Sequence, residues 1–392
     1  MNIGWETKPL GEVGIFQRGG NFLKSDFVAD GFPCIHYGQI HTTFGISTNR
    51  HITCIPESLA LSKARIARRG DLIIAITSED VEGSCKSTAW LGDYDVAVGA
   101  HAAIYRHSLN PEYVSYFFKS PVFNKAKETY THGFKVVEIR PSDIAKIPIP
   151  YPSFSEQQRI VDILNKEFAK IAVLKSNAEE VLNGIDLLFQ ATLQKEMTPS
   201  SNWHQELIGD RCQLVQGLAI NAHTRHLIVD NSNLPLLRIK DMKEGTREIF
   251  IDEKNCPMSV RVCPDDIIYT RTGTLGLLFT GMYGVMHNNC FKIVLDKTVL
   301  DKSFFMYYVM QDRFRNRVLS LAKRAAQPDI THRLFKEQPL LFPSLDEQRR
   351  IVERLKGLER QISHLKANYS DTLSLCDDFK RAILTKAFNG EL

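Results

Sequence analysis

The sequence predicts a mixed α/β protein: two globular units, each followed by a long helix, with the two helices forming an antiparallel coiled coil. Three observations predict it. A stretch of about two hundred residues is written twice. The best-matched part of each copy carries an unbroken 4-3 apolar spacing. The poorly matched part carries short β-type runs between Gly, Asn and Asp turns.

The repeat is clearest at "PYPSFSEQQRIVDILNKE", from Pro150, and "LFPSLDEQRRIVERLKGLE", from Leu341. At an offset of 191, Pro148 and Pro152 fall on Pro339 and Pro343, and Glu156, Gln157, Arg159, Ile160 and Val161 fall on Glu347, Gln348, Arg350, Ile351 and Val352. Ala191, Leu193 and Lys195 meet Ala382, Leu384 and Lys386 without a gap. Upstream the offset drifts, as loop insertions would make it do: Trp5-x4-Leu10-Gly11-Glu12 resembles Trp203-x4-Ile208-Gly209-Asp210. The whole chain is therefore a duplicated unit.

The divergent parts contain "DLIIAI", "AAIYRH", "DIIYT" and "FKIVL", read as strands, and then "PEYVSYFFKSPVFNKAKE" and "SFFMYYVMQDRFRNRVLSLAKR", read as helical. Prolines bar the residues before each long helix from helical structure, with Ser155 and Ser344 or Asp346 as the expected N-caps. The seam runs through Ile160, Leu164, Ile171, Leu174, Ile185 and Leu188 in the first helix and Ile351, Leu355, Leu358, Ile362, Leu365, Phe379 and Ile383 in the second. Nine alternating steps of four and three indicate a coiled-coil seam about 50 Å long. Glu167 stands where the second copy has Leu358, a polar layer suited to setting register. The expected division is a globular unit over 1–150, a helix over 151–198, a second unit over 199–341 and a helix over 342–392.

Composition excludes several classes. With 43% hydrophobic and 24% charged residues and no apolar run near 18 residues, a cytoplasmic protein is expected, without membrane contact or a secretory signal. Eight scattered cysteines form no C-x-x-C pair, which argues for buried thiols over zinc or disulfides. There is no G-x-G, no phosphate-cradling G-x-x-x-x-G-K-[ST] and no H-x-x-x-H pair, and "HYGQIH" reads as a polar loop, so neither a catalytic nor a metal site is expected. A net charge of +4 is modest for a protein gripping many phosphates alone, which leaves part of such a grip to partners.

What remains is recognition, which needs loops rich in bidentate hydrogen-bonding side chains. In the first unit the candidates are Lys24, Tyr37, Gln39, Ser78, Glu79, Lys86 and Lys135. In the second they are Asn221, His223, Arg225, Arg238, Lys240, Arg271, Thr272, Thr274, Asn288, Asn289, Lys323 and Arg324, the last two in a basic cluster with Arg313, Arg315 and Arg317.

The doubled P-S-x-x-E-Q-x-R-I-V entry to a long helix, with the terminal "KRAILTKAFNGEL", resembles the DNA-specificity subunit of Type I restriction–modification systems over essentially the full length. The resemblance implies two target-recognition domains that each read one half of a gapped, asymmetric site on double-stranded DNA. It implies helices that act as a ruler and dock two methyltransferase subunits, and it implies recruitment of restriction/translocase subunits. S-adenosylmethionine, ATP and Mg would be used by those partners, with no cofactor on this chain. Two other readings stand beside it: the recognition module of a single-chain restriction–modification enzyme, and a coiled-coil scaffold without a DNA role.

Overall fold

The computed structural model describes residues 5–131, 137–323 and 327–392. The chain divides into two compact units, Met1–Glu179 with Tyr369–Leu392, and Glu180–Asn368. Two helices, α1 (Phe154–Glu196) and α2 (Leu345–Asn389), each contribute to both.

In the first unit the strand Leu72–Ala75 is flanked by Ala102–His107 and Ser87–Trp90, in a five-stranded sheet closed by Gly14–Arg18 and Ser47–Thr48. Its residues alternate between two buried clusters: Leu72 and Ile74 join one core, Ile73 and Ala75 the other. Period-2 side chains buried on both faces are what the apolar run "LIIA" requires. A four-stranded sheet runs in the order Thr53–Ile55, Phe32–Ile35, Val96–Val98, Arg65–Ala67. The helical stretch of the sequence resolves into Pro111–Lys119 and Pro121–Glu128, broken where Ser120 caps the second helix ahead of Pro121.

The second unit repeats the plan. Ile267–Thr270 lies between Cys290–Leu295 and Leu278–Phe279, with Cys212–Gln216 at the far edge, and Gly284–Met286 separates Leu236–Leu237 from Arg261–Val262. In both units the first strand pairs antiparallel with the Pro-rich strand that leads into the long helix: Glu6–Pro9 with Pro148–Tyr151, and His204–Leu207 with Pro339–Phe342. The entry motif owes its glutamine to this junction. Gln157, 2% exposed, accepts the Asn110 N–H at 2.8 Å and donates to Pro152 O at 2.9 Å. Gln348, fully buried, accepts the Asp301 N–H and donates to Val299 O and Pro343 O, each at 2.8 Å.

Each unit is also completed by the end of the other copy's helix. The core of the first packs Ile160, Val161 and Leu164 of α1 with Ile383, Leu384, Ala387 and Phe388 of α2. The core of the second packs Ile351, Val352 and Leu355 of α2 with Leu193 of α1 and Met197 just past its end. Within the first unit Lys175 pairs with Asp377 at 2.7 Å and Arg159 with Leu392 O at 2.7 Å; within the second, Lys366 pairs with Asp186 at 2.5 Å and Arg354 with Glu196 at 2.7 Å. In each, the numbers on one helix fall as those on the other rise, so the helices run antiparallel.

Three expectations are corrected. Only one row of the seam is buried along its middle. Ile160, Leu164, Ile171, Ile185, Ile351, Leu355, Ile362 and Ile383 are all under 9% exposed and Leu358 is half-buried, whereas Leu174, Leu188, Leu365 and Phe379 are 53%, 56%, 42% and 50% exposed. A regular two-stranded coiled coil turns both rows towards its partner, so the exposure of the second row means that the helices meet along one row only. The first helix is capped by Ser153, whose Oγ accepts the Glu156 N–H at 3.4 Å, not by Ser155. The repeat register places Ser153 on Ser344, which directly precedes α2. Glu167 bonds Lys170 of its own helix at 2.7 Å and sets no layer across the pair.

Candidate nucleic-acid interface

Backbone pairing brings matching loops together in the two units. The Ile76 N–H donates to His101 O and the Ile139 N–H to Ile76 O, both at 3.0 Å; the Arg271 N–H donates to Asn289 O at 2.8 Å and the Ile330 N–H to Arg271 O at 2.9 Å. Positions 76, 101 and 139 thus correspond to 271, 289 and 330. Strand register adds Arg18 opposite Ala103 and Gln216 opposite Phe291.

Three matched positions (18 and 216, 76 and 271, 138 and 329) carry Arg, Ile and Glu in the first unit and Gln, Arg and Asp in the second. Arg18 Nη2 donates to Glu138 Oε1 at 3.0 Å. Arg271 donates through Nε to Asp329 Oδ1 at 3.0 Å, through Nη2 to Asp329 Oδ2, and through Nη1 to Gln216 Oε1 at 3.2 Å. The guanidinium changes strand while the carboxylate keeps its place. Ile76 is fully buried, so an arginine at its counterpart needs the fork-to-fork pair that Asp329 supplies.

Near these loops in the first unit lies an open cavity of about 770 Å³ lined by four of the predicted residues, Tyr37, Ser78, Glu79 and Lys86, with His41, Thr77, Asp80 and Glu82 among the others. Tyr37 lies against His36 at 4.5 Å and His101 at 5.3 Å between ring centres. Thr77 holds both other histidines: its O pairs with His41 Nε2 and its Oγ1 with His101 Nδ1, each at 3.1 Å. His101 adopts a left-handed φ of 65°, a conformation that costs energy in a non-glycine residue and tends to collect at functional sites. Burial, helped by Lys24 and His101, lowers the pKa of His36. Gln39 is not free to read bases: its Oε1 accepts the His36 N–H at 2.9 Å and its Nε2 donates to Thr53 Oγ1 at 3.1 Å. Lys24 is exposed in a short turn outside the cavity lining.

In the second unit Thr272 and Thr274 lie in the turn between two paired strands, where Gly273 and Gly276 take φ of 74° and 75°, values glycine reaches without strain. Thr270 Oγ1 pins this turn by donating to Thr274 O at 2.5 Å and accepting the Leu277 N–H at 2.8 Å. Asn288 and Asn289 are half-buried beside Arg271, with side-chain amides that make no hydrogen bond among the described residues. Arg238 and Lys240 are instead neutralised. Arg238 bonds the buried Asp241 at 2.7 and 2.8 Å and Glu248 at 2.5 Å, and Lys240 bonds Glu248 at 3.0 Å. Asn221, His223 and Arg225 form a separate exposed turn, in which Asn221 Oδ1 accepts the His223 N–H at 2.9 Å. Lys323 follows the helix Asp312–Ala322, whose Arg313, Arg315 and Arg317 are exposed opposite the buried Phe314 and Val318. Lys135 and Arg324 lie outside the described residues.

Sequence reasoning missed Gln216, Glu138 and Asp329, and from the candidate stretch Gln17–Lys24 it singled out Lys24 rather than Arg18. A signal for the carboxylates existed: Glu138-Ile139 and Asp329-Ile330 are acid–isoleucine pairs 191 residues apart. Among the described residues no group of three His, Cys, Asp or Glu is placed to hold a metal ion. Seven cysteines are buried and Cys263 is exposed. No described helix is long and apolar enough to cross a membrane.

The fold has close counterparts. The HsdS subunit from Thermoanaerobacter tengcongensis matches with a TM-score of 0.65 at 21% identity, covering 100% of this chain and 98% of that one. A chain from "Structural basis underlying complex assembly and conformational transition of the type I R-M system" matches with a TM-score of 0.80 at 20% identity, covering 100% and 99%. In sequence, the type I restriction enzyme StySPI specificity subunit of Salmonella potsdam is 24% identical, and the EcoKI specificity subunit of Escherichia coli (strain K12) 22%; each alignment covers 99% of this chain and 89% of the relative. The family model for the Type I restriction modification DNA specificity domain matches twice, over residues 2–183 and 200–373, one match to each copy of the repeat, and the chain belongs to that family.

Proposed function

We propose that this specificity subunit reads a gapped, asymmetric DNA target, one half with each globular part (1–150 and 199–341), while the helices (151–198 and 342–392) fix the gap and seat the partners. The observation that carries the proposal is the exchange at positions 18, 76 and 138 against 216, 271 and 329. One backbone plan with different hydrogen-bonding side chains at matched positions is what two readers of different sequences require. In the second unit Arg271, Thr272, Asn288 and Asn289 form the reading cluster, with the Arg271 fork held in place by Asp329. In the first, Tyr37, Ser78, Glu79, Lys86 and Arg18 take that part.

The partners are two methyltransferase subunits, which use S-adenosylmethionine, and ATP- and Mg-dependent restriction/translocase subunits; this chain contributes no chemistry of its own. The exposed row at Leu174 and Phe379, and at Leu188 and Leu365, is an apolar stripe of the kind a partner helix covers. A methyltransferase seated there shares the grip on phosphates, consistent with a net charge of only +4.

The test is to co-express the chain with its methyltransferase and map N6-methyladenine across the host DNA. A gapped, asymmetric motif that disappears on deletion of this chain is the expected result. No dependence on the chain, with a methyltransferase active beside another specificity subunit, would leave only the scaffold reading.

A further inference from the structure

We propose that a cavity in the first unit, floored by Ser87 and flanked by Lys86 and Lys119, is a binding site for a phosphate group. The cavity, about 340 Å³, is larger than a phosphate and leaves room for water around it. Three lysines line it, Lys86, Lys119 and Lys127, against one carboxylate, Glu82, and His41 and Asn124 add polar edges.

The three lysines have different duties. Lys127 is 2% exposed, and its ammonium donates to Glu82 O at 3.1 Å and Ser84 O at 2.7 Å, so it ties down the loop that forms one wall. The ammonium groups of Lys86 and Lys119 make no ion pair or hydrogen bond among the described residues, although the Lys86 backbone N–H donates to Gly83 O at 3.3 Å. Burial, with Lys86 and Lys380 adding repulsion, pushes the Lys119 ammonium down to about 8, although the residue as a whole is exposed. Two cations held near one another without a carboxylate partner are a standing demand for an anion.

The floor supplies an independent sign. Ser87 is 2% exposed, it lines the cavity, and its hydroxyl has no hydrogen-bond partner among the described residues. A buried hydroxyl is normally paired, and a phosphate oxygen would accept from it.

The second unit shows that the fold does not require these lysines. At the repeat offset Lys119 becomes Met310 and Lys127 becomes Val318, which is fully buried. A 37% exposed methionine and a buried valine stand there where the first unit has lysines. The cavity shares His41, Glu82 and Lys86 with the larger one beside the reading loops. That continuity points to a DNA backbone phosphate as the occupant, a source that rests on the function proposed above; free phosphate presents the same chemistry.

The experiment titrates the full chain with inorganic phosphate by calorimetry, as wild type, as Ser87→Ala and as Lys86→Gln/Lys119→Gln. Saturable binding is expected, weakened about tenfold or more in the double variant, with circular dichroism and melting in phosphate-free buffer unchanged. Absence of saturable binding to wild type, or equal binding by the folded double variant, overturns the site. A second arm measures affinity for a duplex carrying the mapped target against salt. A backbone phosphate in the cavity makes the log–log slope of the double variant shallower by about 0.9, and an unchanged slope with lost phosphate binding assigns the site to free phosphate. If the chain binds no duplex, the DNA-reading function fails while the phosphate titration still decides the site.

Discussion

Gln348 Oε1 accepts the backbone N–H of Asp301 at 2.8 Å, across 47 residues of sequence, while its Nε2 serves two carbonyls on the other side. One buried amide thereby joins the start of the helix Lys302–Met310, the Pro-rich strand and the first turn of α2. Gln348→Leu leaves one donor and two acceptors unsatisfied and is expected to lower stability by about 2–4 kcal/mol. Gln348→Glu keeps the acceptor and loses the donor. Urea denaturation should show Glu at least as damaging as Leu, because its buried carboxylate faces two carbonyl oxygens; a loss under 0.5 kcal/mol for Leu contradicts the clamp.

Phe388 sits 5.1 Å from Tyr113 and 5.3 Å from Phe117 between ring centres and is 3% exposed, four residues from the end of the chain as given. Phe388→Ala is expected to cost about 3–5 kcal/mol through the cavity it leaves. Hydrogen exchange should quicken over the helix Pro111–Lys119 and not over the helix Lys302–Met310. Equal effects in both places would show that the damage is not local.

The exposed row on the helices separates docking from folding. Leu174→Glu with Phe379→Glu changes two half-exposed side chains, so melting should shift by no more than a few degrees. Co-purification with the methyltransferase should fall at least tenfold. Retained complex formation would move the docking surface elsewhere.

Arg271→Ala is expected to weaken recognition at one half-site, by about 1–3 kcal/mol, with the other half read as before. The motif mapped from methylated DNA should relax in one half only. Combining Arg271→Ile with Gln216→Arg copies the arrangement of the first unit and should restore the partner of Asp329 and the fold. A motif relaxed equally in both halves would show Arg271 to be a general structural residue.

Burial, opposed by Asp71, holds the His107 imidazole down to about 4. Its folded pKa lies below the unfolded value near 6.5, so the unfolded chain binds the extra proton first and stability falls as pH drops from about 6.5 towards 4. The contribution is on the order of 2–3 kcal/mol at full protonation. His107→Gln should flatten that part of the pH profile, measured by urea denaturation at pH 7 and pH 5; an identical slope in the variant rules the residue out.

The amino-acid sequence determined the duplication, the strands built from Leu72–Ala75 and Ile267–Thr270, the paired long helices and the class of function. These features are local or self-referential: period-2 and 4-3 patterns and a 191-residue offset can be read from the order of residues alone. Tertiary structure decided what depends on neighbours that are distant in sequence. Leu174 and Ile171 look alike on the seam, but only Ile171 is buried, because the helices meet along one row and not both. Arg238 and Arg271 both read as candidates for recognition. Asp241, Glu248 and Asp329 spend the charge of both, and only Arg271 stands beside unpaired amides, those of Asn288 and Asn289. Ser87 gave no signal at all, because a hydroxyl without a partner becomes visible only when every group around it has been placed.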